Sequence, residues 1–349
     1  MKHLTLADLG WSAHFAAQIA DEPAHSAHAC RLSSVARDRL TGLSPAGEHL
    51  LVPPSDMTTG AFAVGDWVLT DPTGQKVTRR LDPLTELTRR AAGTGAERQL
   101  IAANVDTLGI VSSCNDDFNE ARLERYLALV LASGALPLIV LTRADQVDDP
   151  RSFLRQAEQL SPLVSAIAVN AKDPEDARRL EAWCKEGQTL ALVGSSGVGK
   201  TTLRNALSAH QAATAAIRED DAKGRHTTTF RELLRTKAGG WLIDTPGMRE
   251  LAITGADEGL SQLFDDLEAL AQHCRFRDCA HETEPGCAVR AAVEAGTMDA
   301  ERLARWQALR AEDARNSETL SETRAKAKRF GKVVKEAKRI KGRSGKPIR

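Results

Sequence analysis

The sequence predicts three kinds of domain in series: a small β-barrel, an α/β domain built on a phosphate-binding loop, and a small α-helical domain that holds a metal. Three observations predict this. Gly194-Ser195-Ser196-Gly197-Val198-Gly199-Lys200-Thr201 fits G-x-x-x-x-G-K-[ST] between an apolar strand and a helical stretch. Strands alternate with helices through the middle of the chain, the pattern of βαβ units around a parallel sheet. Cys274, Cys279, His281 and Cys287 crowd into 14 residues near the end.

Residues 1–30 hold Lys2, His3, Asp8 and His14 among apolar neighbours. They read as an amphipathic helical segment rather than a signal peptide, because no apolar h-region is present. Residues 31–98 read as short strands and turns: Gly65-Asp66 leads into Trp67 to Thr70, and Asp71-Pro72-Thr73-Gly74 leads out. Residues 99–253 form the α/β stretch. Its strands fall at 105–113, 136–141, 164–169, 189–193, 230–235 and 241–244. Its helices fall at 119–133, where Leu123, Leu127 and Val130 share a face, then at 150–160, 174–185 and 201–208. Residues 254–318 carry helical patterns at 259–270 and 299–312 around the cysteine cluster, and 319–349 is a basic tail.

Across 349 residues, 42% hydrophobic and 27% charged composition fits a globular protein. No run of about 18 apolar residues exists, so no membrane span is expected, and the cytoplasm is the expected compartment. Lysine plus arginine and aspartate plus glutamate each number 47, yet Ser321 to Arg349 holds 12 basic residues against two acids. A cationic tail on an acidic body points to a polyanionic partner. With Phe62 and Trp67 as the barrel's few aromatics, backbone and shape recognition of RNA is expected rather than heavy base stacking.

The phosphate loop carries the clearest chemistry. Its glycines let backbone N–H groups wrap phosphates at a helix start. Lys200 would place a cation on the β- and γ-phosphates, the Thr201 hydroxyl would ligate Mg²⁺, and Thr202 extends the contact. Asp244-Thr245-Pro246-Gly247 ends a strand 43 residues after Thr201. Asp244 would hold the Mg²⁺ shell, and the Gly247 N–H would sense the γ-phosphate. Between them, Gly224-Arg225-His226-Thr227-Thr228-Thr229 supplies a threonine for Mg²⁺, with Thr228 first and Thr227 next. Met248 stands where a water-orienting glutamine is common, so slow intrinsic hydrolysis is expected, with His226 as the substitute.

Thr142-Arg143-Ala144-Asp145 ends a buried strand where GTPases carry N-K-x-D. Asp145 would accept from guanine N1–H and the N2 amino group, which adenine does not offer. Arg143 would stack on the base. Thr142 has one hydroxyl where asparagine has an amide. Asn170-Ala171-Lys172 resembles the S-A-K loop behind the base.

Three thiolates and one imidazole, as Cys274-x₄-Cys279-x-His281-x₅-Cys287, fill a tetrahedral Zn²⁺ shell with no open position. Such a site is structural and braces a small domain with little core of its own.

The motifs run base-reading, S-A-K-like, phosphate loop, switch, D-x-x-G, a circular permutation of the usual GTPase order. With the β-rich segment before and the cysteines after, and with Val64-Gly65-Asp66-Trp67-Val68 and Ala102-Ala103-Asn104-Val105-Asp106, the chain resembles the ribosome small subunit-dependent GTPase A family. The resemblance implies an OB-fold, a permuted GTPase domain and a zinc-binding domain. It implies GTP hydrolysis stimulated by the small ribosomal subunit during late maturation of that subunit. Its implied partners are that subunit and its rRNA, with other assembly factors. A monomer with no membrane partner is expected. The alternatives are an ATP-using P-loop enzyme, favoured by the departures at Thr142 and Arg143, or a non-catalytic rRNA-binding scaffold.

Overall fold

The structure is a computed structural model that describes residues 4–21, 23–90, 98–209, 231–244 and 255–316. Strands β1 (Ala29–Val35), β2 (Leu40–Ser44), β3 (Gly47–Leu51), β4 (Trp67–Thr70) and β5 (Val77–Arg80) come first. β1 pairs with β2 and β4, β2 with β3, and β4 with β5. Val52 closes the ring, pairing with Lys76 and exchanging backbone hydrogen bonds with Gln75 and Val77. Inside it lie Cys30, Leu32, Leu40, Leu51, Phe62, Val68 and Val77. Trp67 is fully buried in the larger core, so it is a packing residue. A separate hairpin follows, β6 (Glu86–Arg90) with β7 (Arg98–Ala103).

Six further strands are β8 (Thr107–Ser113), β9 (Leu136–Thr142), β10 (Ser165–Ala168), β11 (Thr189–Gly194), β12 (Glu232–Arg235) and β13 (Trp241–Asp244). Their spatial order is β10-β9-β8-β11-β13-β12, and β12 then joins β1 through Ser34 opposite Glu232. The first five of these strands run parallel, and β12 is antiparallel. The phosphate-loop strand is thus central although it is fourth in sequence.

Alternate residues face opposite cores. Leu108, Ile110, Ile139, Leu141, Ala191 and Val193 face one. Val111, Leu138, Val140, Leu190 and Leu192 face the other. This is why these strands read as unbroken apolar runs.

Helix α1 (Ala13–Ala17) is the one α-helix described before β1, followed by a 3₁₀ turn at Pro23–His28. The expected amphipathic helix over 1–30 is therefore replaced by a strap. Gly10 turns it at φ +89°, with Leu9 and Phe15 buried and Trp11 edge-on to Trp67 at 4.8 Å. Helix α2 (Glu120–Ser133) starts on Asn119, whose side chain accepts from the Arg122 N–H, and ends at left-handed Gly134. Next come α3 (Pro150–Glu158), α4 (Pro174–Ala177) and α5 (Lys200–Leu207). The helix expected over 174–185 continues beyond α4 only as 3₁₀ turns at Arg178–Trp183.

The helix expected over 259–270 is broken into α6 (Asp257–Leu263) and α7 (Asp265–Ala271). Phe264 at the break is fully buried and sits under the Arg302 guanidinium at 4.7 Å. Helix α8 (Ala288–Glu294) follows, then helical residues 300–316. This last helix docks on α2 through Glu124, a fully buried carboxylate 2.7 Å from Arg305 and 3.5 Å from Arg302.

The stretches Val64 to Val68 and Ala102 to Asp106 meet in one joint. Ala103 donates to the Val64 carbonyl, and Asn104 donates its amide to Gly65 O at 3.0 Å. A Cβ on Gly65 would lie 2.1 Å from Ala103 O, so glycine is required there. Arg31, fully buried, runs through this joint. It donates to Leu9 O, Gly65 O, Asn104 O and the Thr189 hydroxyl, tying strap, barrel and sheet together. Burial pulls its pKa down to about 10, against the pull of Asp106 and Asp66.

Asp313, 1% exposed, accepts from the Ala256 N–H at 3.2 Å where α6 begins. Burial raises its pKa, as does Asp257. A carboxyl with a raised folded pKa stabilises the fold most below its unfolded pKa, and that stability is lost as pH rises through the folded value. Asp313→Asn keeps the acceptor and removes the titration. It is expected to raise the melting temperature at pH 7, the gain vanishing below about pH 4. Melting curves across pH for both proteins check this.

Candidate nucleotide site and metal centre

At the C-terminal end of β11 the chain turns through the loop 194–199 into α5. Gly194 sits at φ +137°, and a Cβ there would lie 2.1 Å from Val111 O on the neighbouring strand. Gly197 and Gly199 are also left-handed. The Lys200 ammonium donates to Gly194 O at 2.7 Å and to Ser195 O. Val198 is buried under the loop, while Ser196, Thr201 and Thr202 are exposed.

Neighbouring strand ends bring the other residues to this loop. Thr142 ends β9, almost wholly buried. Its hydroxyl lies 2.6 Å from Val198 O and 3.1 Å from Ser112 O. It is a strut under the phosphate loop rather than an outward-facing polar group. Arg143 is left-handed at φ 58° and donates to Gly197 O at 2.9 Å. Asp145, exposed, rides on the 3₁₀ turn Ala144–Gln146 that follows. From the end of β10, Asn170 donates its backbone N–H to Asp176 at 2.6 Å and accepts from the Lys172 N–H with its side chain.

Thr142, Arg143, Asp145, Asn170, Ala171, Gly197, Val198, Gly199 and Thr202 line one pocket of about 240 Å³ with Gln146 and Lys172. Residues far apart in sequence thus meet because β9, β10 and β11 all end on the same edge of a parallel sheet. Asp244 ends β13 and is ion-paired with Arg204 of α5 at 2.8 Å. Sequence reading missed Gln146, Asp176 and Arg204, which lie beside the motifs and outside their patterns. His226, Thr227, Thr228, Gly247 and Met248, and the tail at 319–349, lie outside the described residues.

Replacing Thr142 by valine keeps its shape and removes the hydroxyl. Val198 O then loses its hydrogen bond, at a cost of about 1–2 kcal/mol. Nucleotide affinity is expected to fall roughly 5- to 30-fold at one kcal/mol per factor of about five. Titration with a fluorescent guanine nucleotide measures it.

The second cluster lies between α7 and α8. One donor atom from each of Cys274, Cys279, His281 and Cys287 falls within 4.8 Å of the other three. Sγ of Cys274 is 3.8 Å from Sγ of Cys287 and 3.6 Å from Nδ1 of His281, which is 3.4 Å from Sγ of Cys287. Zinc bonds of about 2.3 Å to sulfur and about 2.0 Å to nitrogen give tetrahedral edges of roughly 3.8 and 3.5 Å. The donor set therefore fits a tetrahedral metal. Burial, then Arg310, holds the His281 pKa below its ordinary value, the direction that favours the neutral imidazole a metal needs. Trp306 packs on its ring at 5.2 Å, and Gln307 donates to its carbonyl. Glu284 accepts from three backbone N–H groups, of Ala280, Glu282 and Thr283, shaping the loop between ligands.

The RsgA GTPase family profile matches residues 81–254. A Mesorhizobium japonicum protein described as small ribosomal subunit biogenesis GTPase RsgA is 52% identical, covering 90% of this chain and 91% of its own. A Vibrio parahaemolyticus protein described as small ribosomal subunit biogenesis GTPase RsgA 2 is 47% identical, covering 95% and 92%. Among solved structures, YjeQ from Thermotoga maritima aligns over 80% of this chain and 95% of its own, with a TM-score of 0.57 and 23% identity. YloQ, described as a circularly permuted GTPase, aligns over 85% and 95%, with a TM-score of 0.58 and 21% identity. With half of its sequence shared with a relative over nine-tenths of both chains, this protein belongs to the RsgA GTPase family.

Proposed function

We propose that this protein hydrolyses GTP while bound to the small ribosomal subunit and acts in late assembly of that subunit. The observation that carries the reading is the meeting of the loop 194–199 and Asp145 on one pocket, in a chain whose relatives bear that name. Gly194 to Thr202 would cradle the phosphates, with Lys200 leaving its loop carbonyls for phosphate oxygens. Thr201, Thr228 and Asp244 would hold Mg²⁺, which supplies charge neutralisation on the β- and γ-phosphates. Asp145 would read guanine, with Arg143 over the base and Ala144, Asn170 and Ala171 behind it. His226 would orient water, and the Gly247 N–H would sense the γ-phosphate. Asp244 must part from Arg204 to serve the metal.

The four-residue cluster would hold Zn²⁺ and brace the helices after the GTPase domain. The barrel within 31–98 would serve as an OB-fold facing rRNA, with the tail at 319–349 adding sequence-blind phosphate contacts. The cytoplasm follows from a ribosomal substrate. Among the described residues no helix is long and apolar enough to cross a membrane.

Hydrolysis of GTP and of ATP, with and without purified small subunits, tests the reading. Slow GTP turnover that rises strongly with subunits, and no response with ATP, is expected. Equal use of ATP would overturn guanine recognition. GTP turnover indifferent to subunits would overturn the ribosomal role.

A further inference from the structure

A second pocket, of about 210 Å³, shares no lining residue with the nucleotide site. It lies where the end of β1, the 3₁₀ turn Thr59–Ala61, β7 and the residue before β12 meet. Its apolar lining includes Phe62, Val64 and Ile101, its polar side chains include Arg37, Gln99 and Arg231, and no aspartate or glutamate lines it among the described residues.

Arg231 is half-buried, and its Nε is sealed from solvent without a hydrogen-bond partner. Among the described residues, the charge acting on it is that of Arg89, of the same sign, whose own Nε donates to Gln99 at 2.9 Å. Burial and then Arg89 push the Arg231 pKa down. Other shielded arginines are compensated: Arg31 by carbonyls, Arg80 by Asp66 and Glu86, and Arg305 by Glu124. A shielded guanidinium that feels a like charge and, among the described residues, no anion costs free energy that a doubly accepting anion offsets. The planar guanidinium fork matches phosphate oxygens.

We propose that the pocket at Arg231 is a binding site for a phosphate group, separate from the nucleotide loop. Either an RNA backbone phosphate or free inorganic phosphate offers that chemistry. The position gives the site a connection: Arg231 follows Thr229 by two residues, and the next residue, Glu232, pairs with both Ser34 of the barrel and Asp244 of the nucleotide edge. A phosphate here sits at the strand that joins barrel to nucleotide site.

Two measurements on the full chain test this without nucleotide or ribosomes, so their outcome is independent of the function proposed above. In the first, binding of a fluorescein-labelled RNA hairpin is followed from about 50 to about 200 mM salt. Arg231→Gln is expected to reduce the slope of log affinity against log salt by about one, while Arg231→Lys retains it. In the second, inorganic phosphate is compared with chloride at equal ionic strength. Phosphate is expected to raise the melting temperature of the native chain more than that of Arg231→Gln, whose remaining rise is that of the loop 194–201. A changed slope identifies RNA backbone as the source; a phosphate-dependent melting shift that is reduced in Arg231→Gln, without a changed slope, identifies free phosphate. Arg89→Gln, which leaves Arg231 in place, is expected to weaken whichever response is seen. Identical behaviour of Arg231→Gln and the native chain in both measurements overturns the proposal.

Discussion

Asp145→Asn is expected to lower kcat/KM for GTP by about 10²- to 10⁴-fold. In the proposed reading the carboxylate would accept two hydrogen bonds from guanine, each worth about 1.5–3 kcal/mol when one partner is charged. Asparagine keeps one acceptor and turns the other into a donor, which faces the N2 amino group and repels it. Asp145 is exposed on a short 3₁₀ turn and lies outside the core, so the substitution leaves the fold intact. The chemistry supplies an internal control. Xanthine presents a carbonyl where guanine presents its amino group, so the new amide can donate to it. Activity with xanthosine triphosphate is therefore expected to rise in the variant as activity with GTP falls. Steady-state kinetics with the two nucleotides decide the matter. Unchanged GTP kinetics would remove Asp145 from base recognition and return the pocket at 142–146 to a structural role.

Cys287→Ala is expected to have the largest effect on stability. Its sulfur accepts the Arg290 N–H at 3.4 Å as the cap of α8, stands 3.8 Å from Cys274 and 3.4 Å from His281, and is buried in the main core. The metal would hold together a region whose loop at 274–287 has little regular structure. Structural zinc contributes apparent folding free energies on the order of 10 kcal/mol in small domains. Loss of one ligand is expected to cut zinc affinity by more than about 100-fold, beyond the cost of disturbing a ligand's supporting partner. A chelator should lower the melting temperature of the native chain and leave that of Cys287→Ala unchanged. Cys184→Ala serves as the comparison: Cys184 is a buried thiol outside the cluster, raised by burial to a pKa of about 11, and its variant should keep the chelator response. Metal content by elemental analysis closes the test. A native chain without bound metal and indifferent to chelation would refute a structural metal.

Much of the architecture was legible because its signals are local. The loop 194–201 announces itself through glycines that only a phosphate-wrapping turn requires, and the core strands through runs such as Leu136 to Leu141 that a two-sided sheet demands. Asn119 and Gly134 mark the two ends of α2 to the residue. The cysteine cluster was readable because all four donors fall within one short stretch. Local signals also misled where tertiary contacts outweighed them. The strap at 4–21 is polar and apolar in helical rhythm, yet Gly10 and the burial of Leu9, Trp67 and Phe15 fold it flat against the barrel. Phe264, apolar and compatible with a helix, instead breaks one to reach the core under Arg302.

By itself, then, the sequence determined the sheet strands, the phosphate loop, the cluster of four donors at 274–287 and the permuted order of the motifs. The tertiary structure alone decided that Thr142 props Val198, that Arg204 holds Asp244, and that Arg31 and Glu124 are buried charges joining separate parts of the chain. It also placed Arg231 in a pocket with Arg37 and Gln99, within reach of the like charge of Arg89. Each of those pairs joins residues tens to hundreds of positions apart, through single side chains with no periodic or spaced pattern around them. Burial and charge balance are properties of what surrounds a group in space, and a linear chain carries no record of that until its strands are set side by side.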